Sequence, residues 1–362
     1  MDTICDVIVL TWNQLDVIKT FVESYLANTV SLSRLIIIDN ASSDGTKDYL
    51  LSLGDTASCK FEVILNKENR GFVGGMNQGI EISKAPYVCL ANNDLIFTKG
   101  WLEEIIDIFE KHGNVGLLNP NSNNLGMHPT ANVTIDDYAR MLKNNYSGVF
   151  VEMPFCIGFC MFIRRELINK VGGLSVEFYP IFFEDSDYSM KATEANYLIG
   201  MAKASYVWHK EHASFKQMGE NKENFFVRSR EVFFKKWGKI LRIVYVINNY
   251  RDLQDGLQKS IELARNGSYV WIFCKDLDKK REDIFKDLNI TEHTGVQFVS
   301  FKNNFGLMWN ILKKKKKYDL VIVDNKIVQN VLKGLKYNIL DKLQSDRIKN
   351  LRKFSYENST DI

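Results

Sequence analysis

Residues 87–95, Tyr-Val-Cys-Leu-Ala-Asn-Asn-Asp-Leu, change from apolar to polar halfway along. The first half, Tyr87 to Ala91, is an uninterrupted run of apolar, β-favouring residues, which is typical of a strand buried on both faces of a parallel sheet. Asn92, Asn93 and Asp94 then follow at the carboxyl end of the strand, where open α/β sheets bind their ligands. The polar half therefore predicts a ligand site at this edge of the sheet.

Two interpretations of these polar residues stay open. An oxygen-rich cluster would hold a hard divalent cation, and the cation would in turn hold a diphosphate. Alternatively, Asp94 is the N-cap of a helix, because the apolar spacing over Trp101 to Phe109 predicts an amphipathic helix a few residues later. The three polar residues alone do not choose between a metal site and a helix cap.

Length and composition narrow the class of protein. A chain of 362 residues predicts two domains, and a net charge of +3, which we expect to be spread along the chain, argues against a nucleic-acid-binding surface. The six cysteines lie mostly in apolar runs without metal-ligand spacing, as expected of reduced thiols. The apolar N-terminal run carries Asp2 and Asp6 and predicts a strand rather than a signal peptide, and no apolar run is long enough to span a bilayer. These features predict a cytoplasmic protein.

Strand and helix patterns alternate through the N-terminal part of the chain. Each predicted strand ends in polar residues and is followed by a helical pattern, which predicts a doubly wound, mostly parallel sheet with its polar turns at one edge. The segments are strands Ile4 to Thr11, Leu35 to Ile38 and Phe61 to Leu65, and helices Leu15 to Asn28 and Thr46 to Leu53.

A glycine-rich stretch, Gly-Phe-Val-Gly-Gly-Met-Asn-Gln-Gly at residues 71–79, opens another predicted helix. Backbone N–H groups at such a helix start favour an anion or a sugar hydroxyl. Alternatively, the glycines only allow the helix to pack closely on the sheet. Further along, the Asn-rich segment Pro120 to Pro154 predicts an excursion over the sheet edge, and long loops of this kind are often binding loops.

Residues 182–188, Phe-Phe-Glu-Asp-Ser-Asp-Tyr, place three carboxylates behind two aromatic rings. An aromatic wall would desolvate one acid and tune it as a base, although carboxylates are also common caps, here of a helix predicted over Tyr188 to Ala195. His209 ends the strand predicted over Leu198 to Val207. We interpret His209 as a metal ligand or a diphosphate contact, with a solvated histidine as the alternative.

The pattern begins afresh after Trp237-Gly238. A strand, a helix and a second strand follow between Arg242 and Cys274, which is a complete β-α-β unit. The second domain lacks a Gly-x-Gly-x-x-Gly run and is predicted to have a supporting or acceptor-side role. We predict three segments, which are an α/β domain over 1–238, a smaller Rossmann-like α/β domain over 239–345, and a partly disordered tail over 346–362.

The run Lys313 to Lys317 has two interpretations. Cations suit a helix C-terminus, so the run is explained by a solvated helix end. Lysine runs also bind anionic lipid, which would bring the protein to the inner face of the cell membrane as a peripheral protein.

Several short motifs occur in a fixed order between residues 4 and 215, and together they resemble family 2 of the nucleotide-sugar glycosyltransferases, with the GT-A fold, in particular its bacterial rhamnosyltransferase-like branch. The combination is far more specific than any one motif, and the second domain lies outside it. The motifs are Thr11-Trp12-Asn13, Ile38 to Ser42 with Asp44-Gly45-Thr46, Asn69 to Gly79, Leu90 to Asp94, Ile163-Arg164-Arg165, Val171-Gly172-Gly173, Glu184 to Asp187, and His209 with Ser214.

The resemblance implies an inverting, metal-dependent enzyme. It would move a sugar from a nucleoside-diphosphate sugar to a hydroxyl of a bacterial surface glycan, glycolipid or glycoprotein, with Mg²⁺ or Mn²⁺ as cofactor. Asp185 would be the general base with Glu184 shaping the acceptor site, and Asp94 and His209 would bind the metal. The implied donor-binding residues are Thr11, Asn13, Asp39, Asn69, Arg70, Gly74, Asn77, Asn92 and Asn93.

This sequence departs from the family pattern at Asn92, where the family usually has Asp, and the missing carboxylate weakens the case for tight metal binding before the donor arrives. One alternative is therefore a degenerate glycosyltransferase that binds nucleotide sugar or serves as a scaffold. A sugar nucleotidyltransferase ranks last, because residues 11–16 lack the basic glycine-rich loop that would grip a triphosphate.

Overall fold

The computed structural model describes residues 3–30, 32–56, 59–210 and 221–340. The described chain forms two compact units, the first made of residues up to 150 and of 155–232, the second of 151–154 and of the residues from 233 onward. The predicted tail, 346–362, and Ser214 of the motif series lie outside the described residues. Within the described ranges, no helix combines the length and the apolar character needed to cross a membrane.

Up to residue 210, strands alternate with helices and several strands end in polar residues, as the sequence predicts. Those that form the middle of the sheet are buried along almost their whole length, as both-face burial requires. They are β1 (Cys5–Thr11), β2 (Ser33–Asp39), β3 (Cys59–Leu65), β4 (Tyr87–Ala91), β5 (Leu95–Phe97), β6 (Val115–Asn121), β7 (Phe150–Glu152), β8 (Cys160–Arg164) and β9 (Leu198–His209).

The first seven helices pack against this sheet or the segments beside it, whereas the eighth continues from the first unit into the second. In the first of them, for example, Ile18, Phe21, Val22 and Tyr25 recur at helical spacing and are all buried. The helices are α1 (Leu15–Asn28), α2 (Thr46–Leu51), α3 (Gly71–Ile82), α4 (Trp101–Lys111), α5 (Ile135–Tyr146), α6 (Arg165–Val171), α7 (Glu184–Glu194) and α8 (Asn221–Trp237).

The main sheet of the first unit has the strand order β3-β2-β1-β4-β8-β6-β9-β5. Strands β3, β2, β1 and β4 are parallel, β8 is antiparallel to β4 and β6, β9 is parallel to β6, and β5 is antiparallel to β9. Six of these eight strands therefore run in one direction. The predicted α/β class with a doubly wound, mostly parallel sheet is confirmed.

The structure after Asp94 contradicts the interpretation of Asp94 as the N-cap of a helix. A short strand, β5, separates Asp94 from α4, and the N-cap of α4 is Gly100 in a left-handed conformation. Asp94 is therefore not a helix cap. Because β5 pairs with β9 so that Leu95 lies opposite His209, Asp94 is instead brought to the end of β9.

The glycines of α3 have mixed roles. A β-carbon on Gly75 would lie 2.4 Å from Leu10 Cδ1, and one on Gly79 would lie 2.3 Å from Ile8 Cγ2, so both glycines allow the helix to pack on β1. The first N–H groups of the helix are already occupied, since Gly71 N donates to Asn69 Oδ1 and the next two donate to Pro180 O. The expectation that these N–H groups are free for an anion or a sugar hydroxyl is wrong.

The second unit contains a separate five-stranded parallel sheet with the order β12-β11-β10-β13-β14. Helices pack on both faces of it, as in a Rossmann-like domain. Its elements are β10 (Arg242–Ile247), α9 (Leu253–Arg265), β11 (Tyr269–Lys275), α10 (Arg281–Asp287), β12 (Val296–Phe301), α11 (Asn304–Leu312), β13 (Leu320–Ile322), α12 (Lys326–Gly334) and β14 (Ile339–Leu340).

Candidate active site

Two adjoining cavities of the first unit open at the carboxyl edge of its sheet. The first, of about 410 Å³, lies beyond β1 and is called the β1 cavity; its lining includes Thr11 and Trp12. The second, of about 320 Å³, is called the carboxylate cavity, because Glu184 and Asp185 line it. Both cavities are lined by Asn92, so they meet at the polar end of β4.

The acid pair lies at the start of α7, which begins four residues earlier than the sequence predicts. The preceding residues, Phe182 and Phe183, have φ angles of +80° and +64°, and Phe183 is the N-cap. Glu184 and Asp185 are therefore in the first helical turn, where the positive end of the helix dipole favours negative charge. Neither carboxylate is the N-cap that the alternative interpretation required.

The two carboxylates have different surroundings. Glu184 is 6% exposed, and its Oε2 is buried without a hydrogen-bond partner. Burial, together with the neighbouring Asp185 charge, raises the pKa of Glu184 well above that of an ordinary glutamate. Burial also raises the pKa of Asp185, against the hydrogen bonds from Gly158 and Ser186, which favour its charged form. The pair is thus suited to holding one proton at neutral pH.

Asp185 is held in position from two sides. Its Oδ2 accepts a hydrogen bond from Gly158 N at 2.9 Å, and its Oδ1 accepts one from Ser186 N at 2.6 Å. Asp185 is more accessible than Glu184 and faces the carboxylate cavity. A fixed, accessible carboxylate at the wall of a cavity has the geometry of a general base.

His209 lines the same cavity and contacts Asp94 behind it. His209 Nε2 lies 2.8 Å from Asp94 Oδ1, and Asn92 Nδ2 lies 3.4 Å from the same ring nitrogen. Both Asp94 and His209 are nearly buried. The structure therefore brings together the two residues to which the resemblance gives a metal-binding role.

A polar segment after β6 holds His209 in place. Asn123 Oδ1 accepts a hydrogen bond from His209 N, and Asn123 Nδ2 donates to His209 O, both at 2.8 Å. The side-chain amide of Asn124 contacts the other ring nitrogen, His209 Nδ1. Sequence reasoning missed these two residues, although the Asn-rich excursion from Pro120 to Pro154 was the signal that pointed to them.

Residues 157–159 connect the acid pair with His209. Gly158 donates to Asp185, and the ring of Phe159 stacks on the imidazole of His209 with centroids 5.7 Å apart. Asn119 fixes this segment, since its amide bonds both the N–H and the C=O of Ile157. The acid pair and the histidine are thus positioned by one rigid stretch of backbone.

The ends of β1 and β2 are joined by side chains with donor-site roles in the resemblance. Asn13 Oδ1 accepts a hydrogen bond from Ser43 N at 2.7 Å, and Asn13 N donates to Ser42 Oγ at 2.9 Å. Asp39 Oδ2 accepts from Ser42 N at 3.1 Å, while its Oδ1 is buried without a partner. Asp39 therefore retains one unsatisfied acceptor next to Asn40, which lines the β1 cavity.

The remaining predicted donor residues fall into two groups. Thr11, Asn69, Asn92 and Asn93 line the β1 cavity, although the amide of Asn93 is tied to Gln14 Oε1 at 2.7 Å. A second group is placed apart from the cavity lining: Arg70 is exposed, Gly74 packs near the Arg70 side chain, and both ends of the Asn77 amide bond the backbone of Leu174.

Part of the first unit matches a known protein family. Residues 6–172 match the model of glycosyl transferase family 2, and the match covers most of the first unit. Over this segment the first unit is similar to glycosyl transferase family 2. The acid pair and His209 lie beyond the matched segment, so their roles rest on the structure and on the proposal below.

Curated relatives are distant. An uncharacterised protein of Sinorhizobium fredii is 24% identical over 233 residues, and the match spans 58% of this chain and 24% of that protein. This chain thus spans about a quarter of that relative. UDP-Glc:alpha-D-GlcNAc-diphosphoundecaprenol beta-1,3-glucosyltransferase WfgD of Escherichia coli is 21% identical over 272 residues, which are 74% of this chain and 98% of that enzyme. A solved mannosyltransferase of Pyrobaculum calidifontis is 15% identical, with a TM-score of 0.47 over 65% of this chain and 63% of the other.

Proposed function

We propose that this protein is a metal-dependent, inverting glycosyltransferase that transfers a sugar from a nucleoside-diphosphate sugar to an acceptor hydroxyl. The observation that carries the proposal is that one cavity is lined both by a carboxylate pair of raised pKa and by His209, which contacts Asp94, and that this cavity adjoins a second one at the switch between β1 and β4. The first pair suits proton removal, and the second suits binding of a diphosphate through a cation.

The nucleoside of the donor is assigned to the β1 cavity. Its wall offers Trp12 as an aromatic surface for the base, and Thr11 and Asn69 as polar contacts. Asp39 Oδ1, a buried acceptor without a partner, would accept a base N–H group, and unsatisfied buried acceptors are costly unless a ligand satisfies them. Exposed Arg70 would extend toward the diphosphate.

The residues present fit a Mg²⁺ or Mn²⁺ ion that arrives with the donor. Among the described residues, no group of three or more His, Cys, Asp or Glu side chains gathers at one point, so the chain offers the Asp94 carboxylate and the His209 imidazole. Mg²⁺ sites use few protein carboxylates, and phosphate oxygens and water complete the shell. When bound, the ion neutralises the charge that develops on the diphosphate leaving group.

Asn124 is assigned the task of fixing the imidazole of His209 in its metal-binding tautomer. Asn124 Nδ2 faces His209 Nδ1, and Asn124 Oδ1 is buried without a partner. After a half-turn of the amide, Oδ1 accepts the proton of His209 Nδ1–H. With its proton on Nδ1, the imidazole would offer an unprotonated Nε2 to a cation that Asp94 also binds, as a metal-ligating histidine requires.

Asp185 is assigned as the general base. It removes the proton of the acceptor hydroxyl as the oxygen attacks the anomeric carbon, and the bond between that carbon and the diphosphate breaks on the opposite face, which gives inversion. Glu184 keeps its proton at neutral pH and so leaves the negative charge on Asp185. The name of the Escherichia coli relative supports a hexosyl transfer to a lipid-linked sugar of the cell envelope, and the rhamnosyltransferase-like branch remains a prediction.

The test measures nucleoside diphosphate release from nucleotide sugars with Mn²⁺, with Mg²⁺ and with a chelator. We expect release that requires a metal and that Asp185→Asn abolishes, while replacement of the exposed Glu194 on the same helix by Gln leaves it unchanged. Donor binding without release under any condition, with varied acceptors, would instead favour a degenerate, nucleotide-sugar-binding protein, to which the loss of a carboxylate at Asn92 also points.

A further inference from the structure

Positive charge is concentrated at the end of the described chain. Residues 301–340 contain nine lysines, two aspartates and no other charged residue, a net charge of +7, whereas the whole chain has a net charge of +3. The expectation that charge is spread evenly along the chain is wrong for this segment. A local excess of positive charge of this size attracts partners of negative charge.

The two helices of this segment present apolar rows to the outside. In α11 the row is Phe305, Trp309 and Leu312, and in α12 it is Ile327, Val331 and Leu335 at the end of the helix. Their exposed fractions range from 45 to 79%. The spacings, i, i+4, i+7 and i, i+4, i+8, place each row on one face of its helix. Single exposed apolar residues are ordinary, but two rows of three are not.

Both rows lie on the same side of the second sheet. The opposite faces of α11 and α12 contribute to one core with that sheet, while α9 and α10 belong to the core on its other side. Within the described part of the second unit, both outer rows are therefore exposed on the same face, on the opposite side of the sheet from α9. The inward residues of the two helices are Leu307, Ile311, Val328 and Leu332.

The lysine run lies beside these rows. Lys317 Nζ donates to Leu335 O at 3.3 Å and to Lys336 O at 3.2 Å, and it lies 4.2 Å from the centroid of the Tyr337 ring. These contacts hold the run, which directly follows α11, against the end of α12. Lys313 to Lys316 are exposed, as are Lys326 and Lys333 of α12.

We propose that α11, α12 and Lys313 to Lys317 form a surface that binds an anionic lipid bilayer. Aromatic and aliphatic side chains enter the boundary between headgroups and acyl chains, and lysines around them attract anionic headgroups. The lysine excess favours an anionic partner, and the two apolar rows favour a lipid surface over a nucleic acid. The proposal concerns the second unit and does not depend on the proposed transferase reaction.

The experiment is flotation of the full-length protein with vesicles of phosphatidylcholine alone or with 30% phosphatidylglycerol, about that fraction being enough to give a strong negative surface. We expect binding to the anionic vesicles only, and a loss of binding when salt is raised to about 0.5 M, because screening shortens the range of the attraction. Replacing Lys313, Lys314 and Lys315 by Gln is expected to weaken binding on the order of 100-fold, since each lysine near the surface contributes about a fivefold factor.

Control variants outside the proposed surface test whether binding depends on this surface and not simply on the number of lysines or of exposed apolar residues. Gln at Lys259, Lys280 and Lys286, exposed lysines of α9 and α10 or next to them, is expected to leave binding unchanged. The double change Phe305→Ser and Trp309→Ser is expected to abolish binding to anionic vesicles, whereas Val30→Ser, at an exposed valine of the first unit, is not. Circular dichroism confirms that each variant is folded.

Three outcomes would overturn the proposal. The first is an absence of binding to anionic vesicles, or equal losses in the lysine variant and its control. The second is a dimer by light scattering without lipid that the double serine variant dissociates, which assigns the surface to a second copy. The third is that Trp309→Cys in a monomer without vesicles resists a water-soluble thiol reagent, as the six buried native cysteines do, which assigns the surface to residues 341–362 of the same chain.

Discussion

Replacing Glu184 with Gln is expected to stabilise the protein in a pH-dependent way. The carboxylate is nearly buried, its Oε2 lacks a partner, and burial beside Asp185 raises its pKa above the ordinary 4.5. The folded state therefore binds this proton more tightly than the unfolded state. The contribution of Glu184 to folding is most favourable below pH 4.5 and is lost progressively as pH rises toward the raised pKa, because ionisation is easier in the unfolded chain.

Glutamine removes this cost because it stays neutral at every pH. Its Oε1 keeps the backbone contacts of the carboxylate, and its NH₂ takes the place of a protonated oxygen that also lacks a partner. One pKa unit corresponds to about 1.4 kcal/mol, so a gain of about 1–3 kcal/mol at pH 8 is a conservative expectation. For a unit of this size that corresponds to a rise in Tm of roughly 2–10 °C. At pH 4.5 the gain should be close to zero.

The assay is thermal and urea unfolding of the wild type and the variant at pH 4.5, 6.5 and 8, without nucleotide or metal. Glu194→Gln is the control, because Glu194 is an exposed glutamate on the same helix. The free-energy cost of burying Glu184 arises only at a pH where its carboxylate ionises in the unfolded state. A Glu184→Gln protein that is destabilised at pH 8, or that gains the same stability at all three pH values, would therefore refute this account of the acid pair.

Three further predictions follow from the site and its scaffold. Asp185→Asn should lower the transfer rate about 10²–10⁴-fold while the donor still stabilises the protein against heat, and a matched loss of donor binding would contradict its role as base. Asn124→Ala should raise the metal concentration for half-maximal donor stabilisation at least about tenfold, measured by thermal titration with Mn²⁺, whereas an unchanged titration would remove Asn124 from the positioning of His209. Gly79→Ala should cost about 1–3 kcal/mol in urea unfolding because its β-carbon would lie 2.3 Å from Ile8 Cγ2, while Gly54→Ala, with no atom within 4 Å, should be close to neutral.

Much of the first sheet is readable from sequence because its strands are buried on both faces and its helices have one apolar side. β1, α1 and β4 keep the bounds that the pattern predicts to within a residue, and the polar ends of β1, β2 and β4 meet at one edge as parallel pairing requires. The gathering of Thr11, Asp39 and Asn92 at this edge is thus a consequence of local patterns and of strand direction alone.

Other features depend on contacts distant in sequence. The first N–H groups of α3 look available in the local sequence, but the carbonyl of Pro180, about a hundred residues later, occupies two of them. The sequence pattern predicts a later start for α7 than the structure has, because Phe182 and Phe183 adopt left-handed conformations that aromatic residues seldom favour. His209 could be named from sequence, whereas the two asparagines that hold it could not be selected from an Asn-rich loop.

In the second unit, too, the sequence pattern does not determine which residues face the core. The apolar rows of α11 and α12 have the spacing of ordinary core-facing rows, and each helix has a second apolar pair that does face the sheet. Helical periodicity identifies an apolar stripe but does not say which of two stripes is inward. Only the packing around Leu307 and Val328 reveals that Trp309 and Ile327 face outward.

The central claim is that the first unit binds a nucleotide sugar through a divalent cation. It is tested most directly by thermal unfolding with a panel of uridine, thymidine and guanosine diphosphate sugars, with Mn²⁺ or with a chelator, in the wild type and in Asp94→Asn. A ligand that binds only the native state must raise its stability, even when the acceptor is unknown. The account predicts that one donor stabilises the wild type only with the metal, and that Asp94→Asn loses this effect. Stabilisation that is the same with the chelator and in Asp94→Asn, or no response of the folded protein to any member of the panel, would contradict it.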